Sequence, residues 1–337
     1  MADDDPKQGA DLGSDSTHEA GAVPADAMPT KDQLKGQDAA HRAEEREAAG
    51  EVAATAGTTA SVVDEPAPAD ASDEYQWHTG INRPTGVPDA VEFIGVHKAF
   101  GRNKILRGLN MGLPEGKISM ILGPSGTGKS VCIKHMVGLL YPDDGDVVVH
   151  GESVPTMRDE ELFEMRKKFG VLFQDGALFG SMNLLDNVAF PLRQHTDKGE
   201  DEILEIVSRR LGEVGLGEAG DKFPNELSGG MRKRAGFARA LVLDPDIVLF
   251  DEPDSGLDPV RTALLCELIQ EIHEENGGAY TVITHDIMSA RRVAEYIAVL
   301  WRGRIVESGP AAELFNSDNA FVRQFLSGAA QGPLGME

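Results

Sequence analysis

Gly123-Pro124-Ser125-Gly126-Thr127-Gly128-Lys129-Ser130 decides the fold. It fits G-x-x-x-x-G-K-[ST], and its surroundings fit as well. Residues 117–122 are a short apolar run that stops at Gly123, and a helical pattern through Ile133, Met136, Val137 and Leu140 follows. Glycines let backbone N–H groups approach and encircle phosphate oxygens. The helix behind them adds about half a positive charge at its N-terminus. Lys129 then suits the β- and γ-phosphates of a nucleoside triphosphate, and the Ser130 hydroxyl suits Mg²⁺.

Further along, Ile247-Val248-Leu249-Phe250-Asp251-Glu252 is four apolar residues ending in two acids. Such a strand sets its carboxylates at the carboxyl edge of the sheet, where ligands bind in folds of this kind. Asp251 is placed to hold Mg²⁺, and Glu252 to orient or deprotonate an attacking water. Residues 91–96 and 105–113 alternate as half-buried strands, and 147–149 is another strand. A charged helix is expected over 159–168 and a strand over 169–173. Residues 176–221 read as mostly helical, with 202–216 the clearest stretch, and a second helix spans 229–243. Asp258-Pro259 opens a long helix, Asp as N-cap and Pro at its first position. Its apolar face is Leu264, Leu265, Leu268, Ile269 and Ile272. A strand at 279–283, a hairpin of 297–301 and 304–307 across Arg302-Gly303, and short helices complete the chain. Strands alternating with helices give an α/β fold with a mostly parallel central sheet. There is no internal repeat.

The first 88 residues differ in kind. They hold 18 acidic and 6 basic residues, half of the chain's net charge of −24. Beyond Leu12, Leu34, Tyr75, Trp77 and a few Val and Met they lack large apolar side chains. Such a segment cannot bury enough surface to offset its ordering entropy, so 1–88 reads as a disordered acidic tail and the folded region as starting near Ala90. The acidity of the remainder argues against nucleic acid, whose affinity rests on Lys and Arg neutralising phosphates, and against unaided binding to an anionic membrane. No run of about 18 apolar residues is present to span a bilayer, and Met1-Ala2-Asp3-Asp4-Asp5 lacks an apolar signal segment. Cys132 and Cys266 lie in apolar, helix-like stretches and read as small core residues.

Leu227-Ser228-Gly229-Gly230-Met231 ends 20 residues before Asp251. It resembles the LSGGQ signature of ATP-binding cassette (ABC) proteins, and in this order and spacing the chain is identified as a member of that family over about residues 90–309. The resemblance implies a RecA-like phosphate-loop core, an N-terminal antiparallel β subdomain and an inserted helical subdomain at about 176–240. The cassette would span 89–310, with a C-terminal helical extension over 311–337. ATP and Mg²⁺ are the implied cofactors. Phe100 matches the aromatic that stacks on adenine, and Gln174 the glutamine that senses Mg²⁺ and links to a transmembrane partner. Ser255-Gly256-Leu257-Asp258 resembles the loop that crosses the dimer interface, and His285 the switch histidine near the γ-phosphate. Ser228 and the Gly229 and Gly230 amides form a second anion site at a helix N-terminus. In the family that site faces ATP held by a second copy, so two cassettes close head-to-tail over two ATP molecules. Met231 stands where the family has Gln, and Asp254 and Gly256 where it has Thr and Ala. These departures leave Lys129, Asp251, Glu252 and His285 in place and bear on rate.

Phe173-Gln174-Asp175-Gly176-Ala177-Leu178-Phe179, Met182-Asn183, Asp186-Asn187-Val188-Ala189 and Pro191-Leu192-Arg193 look like the Mla/Mce lipid-transport ATPases. Residues 250–261 are similar to the actinobacterial mammalian-cell-entry (Mce) ATPases. That branch implies import of lipids or sterols, driven from the cytoplasmic face of the plasma membrane. Its partners would be multi-span permeases and Mce-type shuttle proteins. Residues 176–196 are expected to dock the permease, with Leu178, Phe179, Met182 and Leu184 as apolar candidates. An importer of polar solutes is the alternative within the family. A soluble cassette acting on ribosomes or DNA fits poorly with one cassette, no heptad run and an acidic chain.

Overall fold

The computed structural model describes residues 75–78 and 83–334. Among these, two sheets carry the fold. Strands β1 (Asp89–Phe100), β2 (Asn103–Pro114), β4 (Asp144–Val149) and β5 (Glu152–Ser153) form an antiparallel sheet of order β2-β1-β4-β5. The other sheet is built on β3 (Ile118–Leu122), β6 (Phe169–Leu172), β7 (Ile247–Asp251), β8 (Ala279–Thr284), β9 (Tyr296–Trp301) and β10 (Arg304–Pro310), in the order β10-β9-β3-β8-β7-β6. Strands β6, β7, β8, β3 and β9 run parallel, and β10 returns antiparallel as the expected hairpin. The helices are α1 (Lys129–Met136), α2 (Asp159–Lys167), α3 (Leu184–His195), α4 (Glu200–Glu213), α5 (Gly229–Leu241), α6 (Pro259–Asn276), α7 (Ile287–Val293), α8 (Ala311–Leu314) and α9 (Ala320–Ser327).

Successive residues of one central strand feed different cores. Val248 and Phe250 join the apolar cluster shared with helices α3 to α9, while Ile247 and Leu249 join the cluster shared with α1, α2 and the antiparallel sheet. That is why the strand reads as an unbroken apolar run. Register then builds the site. Leu122 pairs with Thr284, and Asp251 with Ile283, so β3, β7 and β8 end together at one edge. The phosphate loop, Glu252 and His285 all leave the sheet there.

Several expectations give way to tertiary contacts. The helix after the phosphate loop stops at Met136 rather than near Leu140, because Gly138 turns left-handed at φ +64°. The Arg166 guanidinium caps that end, donating to Val137 O and Gly138 O at 2.9 Å each. Residues 176–183 are not helical. Buried Asn187 accepts from Phe179 N–H at 2.7 Å and donates to the carbonyls of Phe179, Met182 and Asn183, which pins that segment as a loop. Leu184 is wholly buried and so leaves the set of exposed docking candidates. On α6, Asp258 caps as expected, accepting from Val260 and Arg261 N–H. The buried face is Thr262, Leu265, Cys266, Ile269 and Ile272, while Leu264 is 59% exposed.

The sequence boundary near Ala90 also moves. Trp77 packs on the core and its carbonyl accepts from Asn319 Nδ2 at 2.7 Å. The Arg304 guanidinium sits 4.2 Å from the Tyr75 ring centroid, and His78 Nε2 lies 3.3 Å from Trp301 O. Arg83 pairs with Glu92 at 3.4 Å. Tyr75, Trp77 and His78 thus tie to the folded region a short segment that composition assigned to the tail. The rest of the expected tail, 1–74 and 79–82, lies outside the described residues, as do 335–337 of the C-terminal extension. Cys132 and Cys266 are both buried, and burial pushes the Cys132 thiol up to about 12. No helix among the described residues is long and apolar enough to cross a membrane.

Candidate active site

Two glycines of the phosphate loop stand where no side chain fits. A Cβ at Gly123 would lie 2.3 Å from Leu300 O, and one at Gly128, with φ +103°, 2.8 Å from Ile105 Cγ2. Between them, Thr127 Oγ1 donates to Pro124 O at 3.0 Å. Lys129 is 4% exposed and its ammonium donates to Gly123 O at 2.8 Å and Pro124 O at 3.0 Å. Burial lowers its pKa, and the Glu252 and Asp251 carboxylates oppose that shift. Charged phosphate oxygens are stronger acceptors than two carbonyls, so this ammonium is poised to exchange them.

Ser130 Oγ donates to Asp251 Oδ1 at 2.9 Å, joining the two sequence motifs. Burial, with the charge of Glu252, raises the Asp251 carboxyl, while the Ser130 hydroxyl and nearby Lys134 and Lys129 pull it down. A hydroxyl beside one carboxylate is an oxygen donor set that fits Mg²⁺, which is bound through one or two carboxylates plus water and phosphate oxygens. Glu252 follows with φ +48°, its N–H donating to Ile283 O at 2.8 Å. A left-handed non-glycine at a sheet's carboxyl edge stores strain that the surroundings must hold. His285 Nδ1 lies 3.7 Å from Glu252 Oε1, and its ring is half exposed.

Gln174 Nε2 donates to Ser255 Oγ at 3.0 Å, so its hydrogen bond is to the loop after Glu252 rather than to Ser130 or Asp251. Phe100 ends β1 with 49% of its surface exposed, and Lys98 Nζ stands 5.8 Å from the ring centroid. Ser228 caps α5, accepting from Met231 N–H at 3.3 Å. Ser228 and Gly230 open on a cleft of about 570 Å³ shared with Met231, Leu257, Arg261 and Leu264, to which the phosphate loop contributes nothing. The chain therefore gathers the loop, Asp251, Glu252 and His285 at one edge, while Ser228 and Gly230 line a cleft to which the phosphate loop adds no residue.

The ABC transporter family matches residues 106–255. The probable ribonucleotide transport ATP-binding protein mkl of Mycobacterium tuberculosis is 53% identical over 253 residues, 75% of this chain and 70% of its own length. The intermembrane phospholipid transport system ATP-binding protein MlaF of Escherichia coli K12 is 39% identical over 248 residues, 74% of this chain and 92% of its own. The chain belongs to the ABC transporter family, as an ATP-hydrolysing cassette. Among solved structures, the dimeric bacterial ABC transporter cassette MJ0796 superposes with a TM-score of 0.61 at 30% identity, covering 66% of this chain and 98% of that one. It is also known as a dimer after hydrolysis, bound to ADP and phosphate. Clostridium perfringens cbiO1, part of the cbiONQ ABC transporter complex, superposes with a TM-score of 0.63 at 27% identity over 71% of this chain and 95% of its own.

Sequence reasoning left two elements of this cassette unassigned. Lys233 is 5% exposed on α5, and its ammonium donates to Pro253 O at 2.8 Å and to Ser255 O. Its signal was a charge in register with Phe237 and Leu241 on the buried face of the helix. Asp254 is the other element. Its carboxylate accepts from Thr284 Oγ1, the residue before His285, so this departure from the family pattern is not remote from the site.

Proposed function

We propose that this cassette powers the import of lipids or sterols through a membrane transporter, as one of two copies that close head-to-tail over two ATP molecules with Mg²⁺. The observation that supports the two-copy reading is that Ser228 and Gly230 line a cleft to which the phosphate loop of the same chain contributes no residue. The dimeric form of its structural relatives supports it.

In the closed pair, Phe100 stacks on adenine and Lys129 trades Gly123 O and Pro124 O for β- and γ-phosphate oxygens. Ser130 and Asp251, with Gln174, would hold Mg²⁺, which would neutralise phosphate charge. Glu252 accepts a hydrogen bond from the attacking water, and His285 borders both Glu252 and the γ-phosphate. Gly123, Pro124, Ser125, Gly126, Thr127 and Gly128 supply the phosphate cradle, and Ser228, Gly229 and Gly230 serve the ATP of the second copy. Loss of the γ-phosphate contacts lets the copies part, a population shift set by the ligand.

The lipid assignment is supported by the kinship with MlaF along most of its length and by the Mce-like stretch at 250–261. Moving a lipid with ~30 buried methylenes through water costs on the order of 20 kcal/mol. The cassette supplies force from the cytoplasmic face, while multi-span permeases and Mce-type shuttle proteins supply the apolar path. Phe179, 43% exposed beside Phe190, and Phe163, 49% exposed beside His195, are the apolar groups that meet the permease. The name of the mycobacterial relatives favours a second reading, ribonucleotide transport.

One experiment separates them. The full chain carrying Glu252→Gln is purified with ATP and Mg²⁺ from gently solubilised membranes, and its partners and bound small molecules are identified by mass spectrometry. A multi-span permease with co-purifying lipid is expected. A permease whose wild-type complex is stimulated by ribonucleotides and carries no lipid overturns the lipid assignment. An ATP-bound chain that stays monomeric overturns the two-copy mechanism.

A further inference from the structure

We propose that Asp254 is a positioning residue for hydrolysis: through Thr284 it fixes the segment that carries His285, and together with Lys233 it fixes the segment that carries Glu252. This rests on Glu252 and His285 acting in hydrolysis, as proposed above.

Both Asp254 carboxylate oxygens lie 2.8 Å from Thr284 Oγ1. A hydroxyl has a single proton, which it gives to the carboxylate. Its lone pairs then accept the Asp286 N–H at 2.9 Å. Thr284 is fully buried, so this orientation has no competition from water. Asp286 is itself anchored as the cap of α7, accepting from Met288 N–H at 3.0 Å and Ser289 N–H at 3.2 Å. His285 is therefore clamped between two residues tied to one hydroxyl, and its Nδ1 stands 3.7 Å from Glu252.

The other side of the pair is held as firmly. Glu252 keeps a left-handed backbone through its bond to Ile283 O, and Lys233 grips Pro253 O and Ser255 O on either side of Asp254. A buried ammonium needs a compensating charge, and the charges around Lys233 are Asp254, then Asp175 and Glu252. Threonine at position 254, the residue that the family pattern has there, supplies no such charge. Lys233 holds the backbone on both sides of Asp254, whose side chain bonds Thr284. Lys233 also rises from α5, so the helix capped by Ser228 is tied directly to the loop that follows Glu252. Side chains held in this way position a reacting group without touching substrate.

The test is steady-state ATPase kinetics on the full chain, alongside equilibrium binding of a fluorescent ATP analogue. The variants are Asp254→Ala, Asp254→Asn, Thr284→Val, Thr284→Ser, Asp254→Ala with Thr284→Val, and Glu252→Gln as control. Asp254→Ala and Thr284→Val are each expected to lower kcat about tenfold while KM for ATP and analogue affinity stay within about twofold. The double variant is expected to lose clearly less than the product of the two single losses, because both remove the same bond. Thr284→Ser, which keeps the hydroxyl, should remain within about twofold of the parent, and Asp254→Asn should fall between parent and alanine. Unchanged kcat, losses that multiply in the double variant, or a KM rise equal to the kcat loss would each overturn the proposal. If Asp254→Ala does not fold by circular dichroism, Asp254→Asn and Thr284→Val decide it by the same criteria. If Glu252→Gln keeps parental activity, the hydrolytic assignment itself falls. If it is inactive while the Asp254 and Thr284 variants turn over normally, only the positioning role falls.

Discussion

Replacing Arg210 by methionine should cost the fold only about 1 kcal/mol, whereas neutralising its two partners should cost about 3. The asymmetry comes from where the charges sit. Arg210, on α4, is 1% exposed. It pairs with Glu213 of its own helix at 2.7 Å and with Asp244 in the turn before β7. The partners are not equally buried: the Glu213 side chain is 21% exposed and that of Asp244 72%. Removing the guanidinium lets water take up both carboxylates, and methionine replaces much of the apolar stem. Removing both carboxylate charges strands a cation out of reach of water, the expensive direction. The partner variant should be Glu213→Gln with Asp244→Asn, because Asp244 has φ +50°, a left-handed backbone that Asn tolerates. Urea melts followed by far-UV circular dichroism give the free energies. For a domain of this size each kcal/mol should appear as roughly 2–4 °C in Tm. An equal cost for the two variants, or a larger one for Arg210→Met, would show that the guanidinium is not what burial has isolated. The pair joins α4 to the turn that feeds β7 and hence Asp251 and Glu252, so the double variant should also slow hydrolysis.

Trp77→Ala should cost about 2 kcal/mol, a half-buried indole packed on the core rather than a fully buried one. Denaturant melts that match wild type would mean that Tyr75–His78 adds nothing to the fold. Asp146 gives a pH prediction. Burial pushes its carboxyl above the ordinary range, with the Ser153 hydroxyl and Val147 N–H bonds pulling the other way. A folded pKa above the unfolded one means that charging opposes folding. The penalty is fully present above the folded pKa and vanishes below the unfolded pKa. Asp146→Asn should therefore melt higher than wild type at pH 7, and the gap should close as pH falls through the raised pKa towards the ordinary carboxylate range. A gap independent of pH would trace the gain to hydrogen bonding instead.

The local determinants of this cassette are written in consecutive residues. Strand β3 before a glycine loop, Asp258-Pro259 at the start of α6, and four apolar residues ending in Asp251-Glu252 each act within a few positions of themselves, so spacing and residue type reveal them. Family resemblance added Ser228, Gly229, Gly230, Gln174, Phe100 and His285, which no local pattern singles out. What the tertiary structure decided depends on partners far along the chain. Gly138 ends α1 early in a left-handed turn whose carbonyls Arg166 caps from far along the chain, and Asn187 holds 179–183 out of a helix through bonds that periodicity does not encode. Tyr75 and Trp77 fold with a hairpin and helix more than 200 residues away, although their neighbours' composition reads as tail. The Asp254–Thr284 bond spans 30 residues and exists only because Glu252 leaves β7 directly beside the end of β8. Sequence spacing sets which backbone turns and caps form, but the register of parallel strands sets which side chains meet, and that register is fixed only when both faces of the sheet are packed.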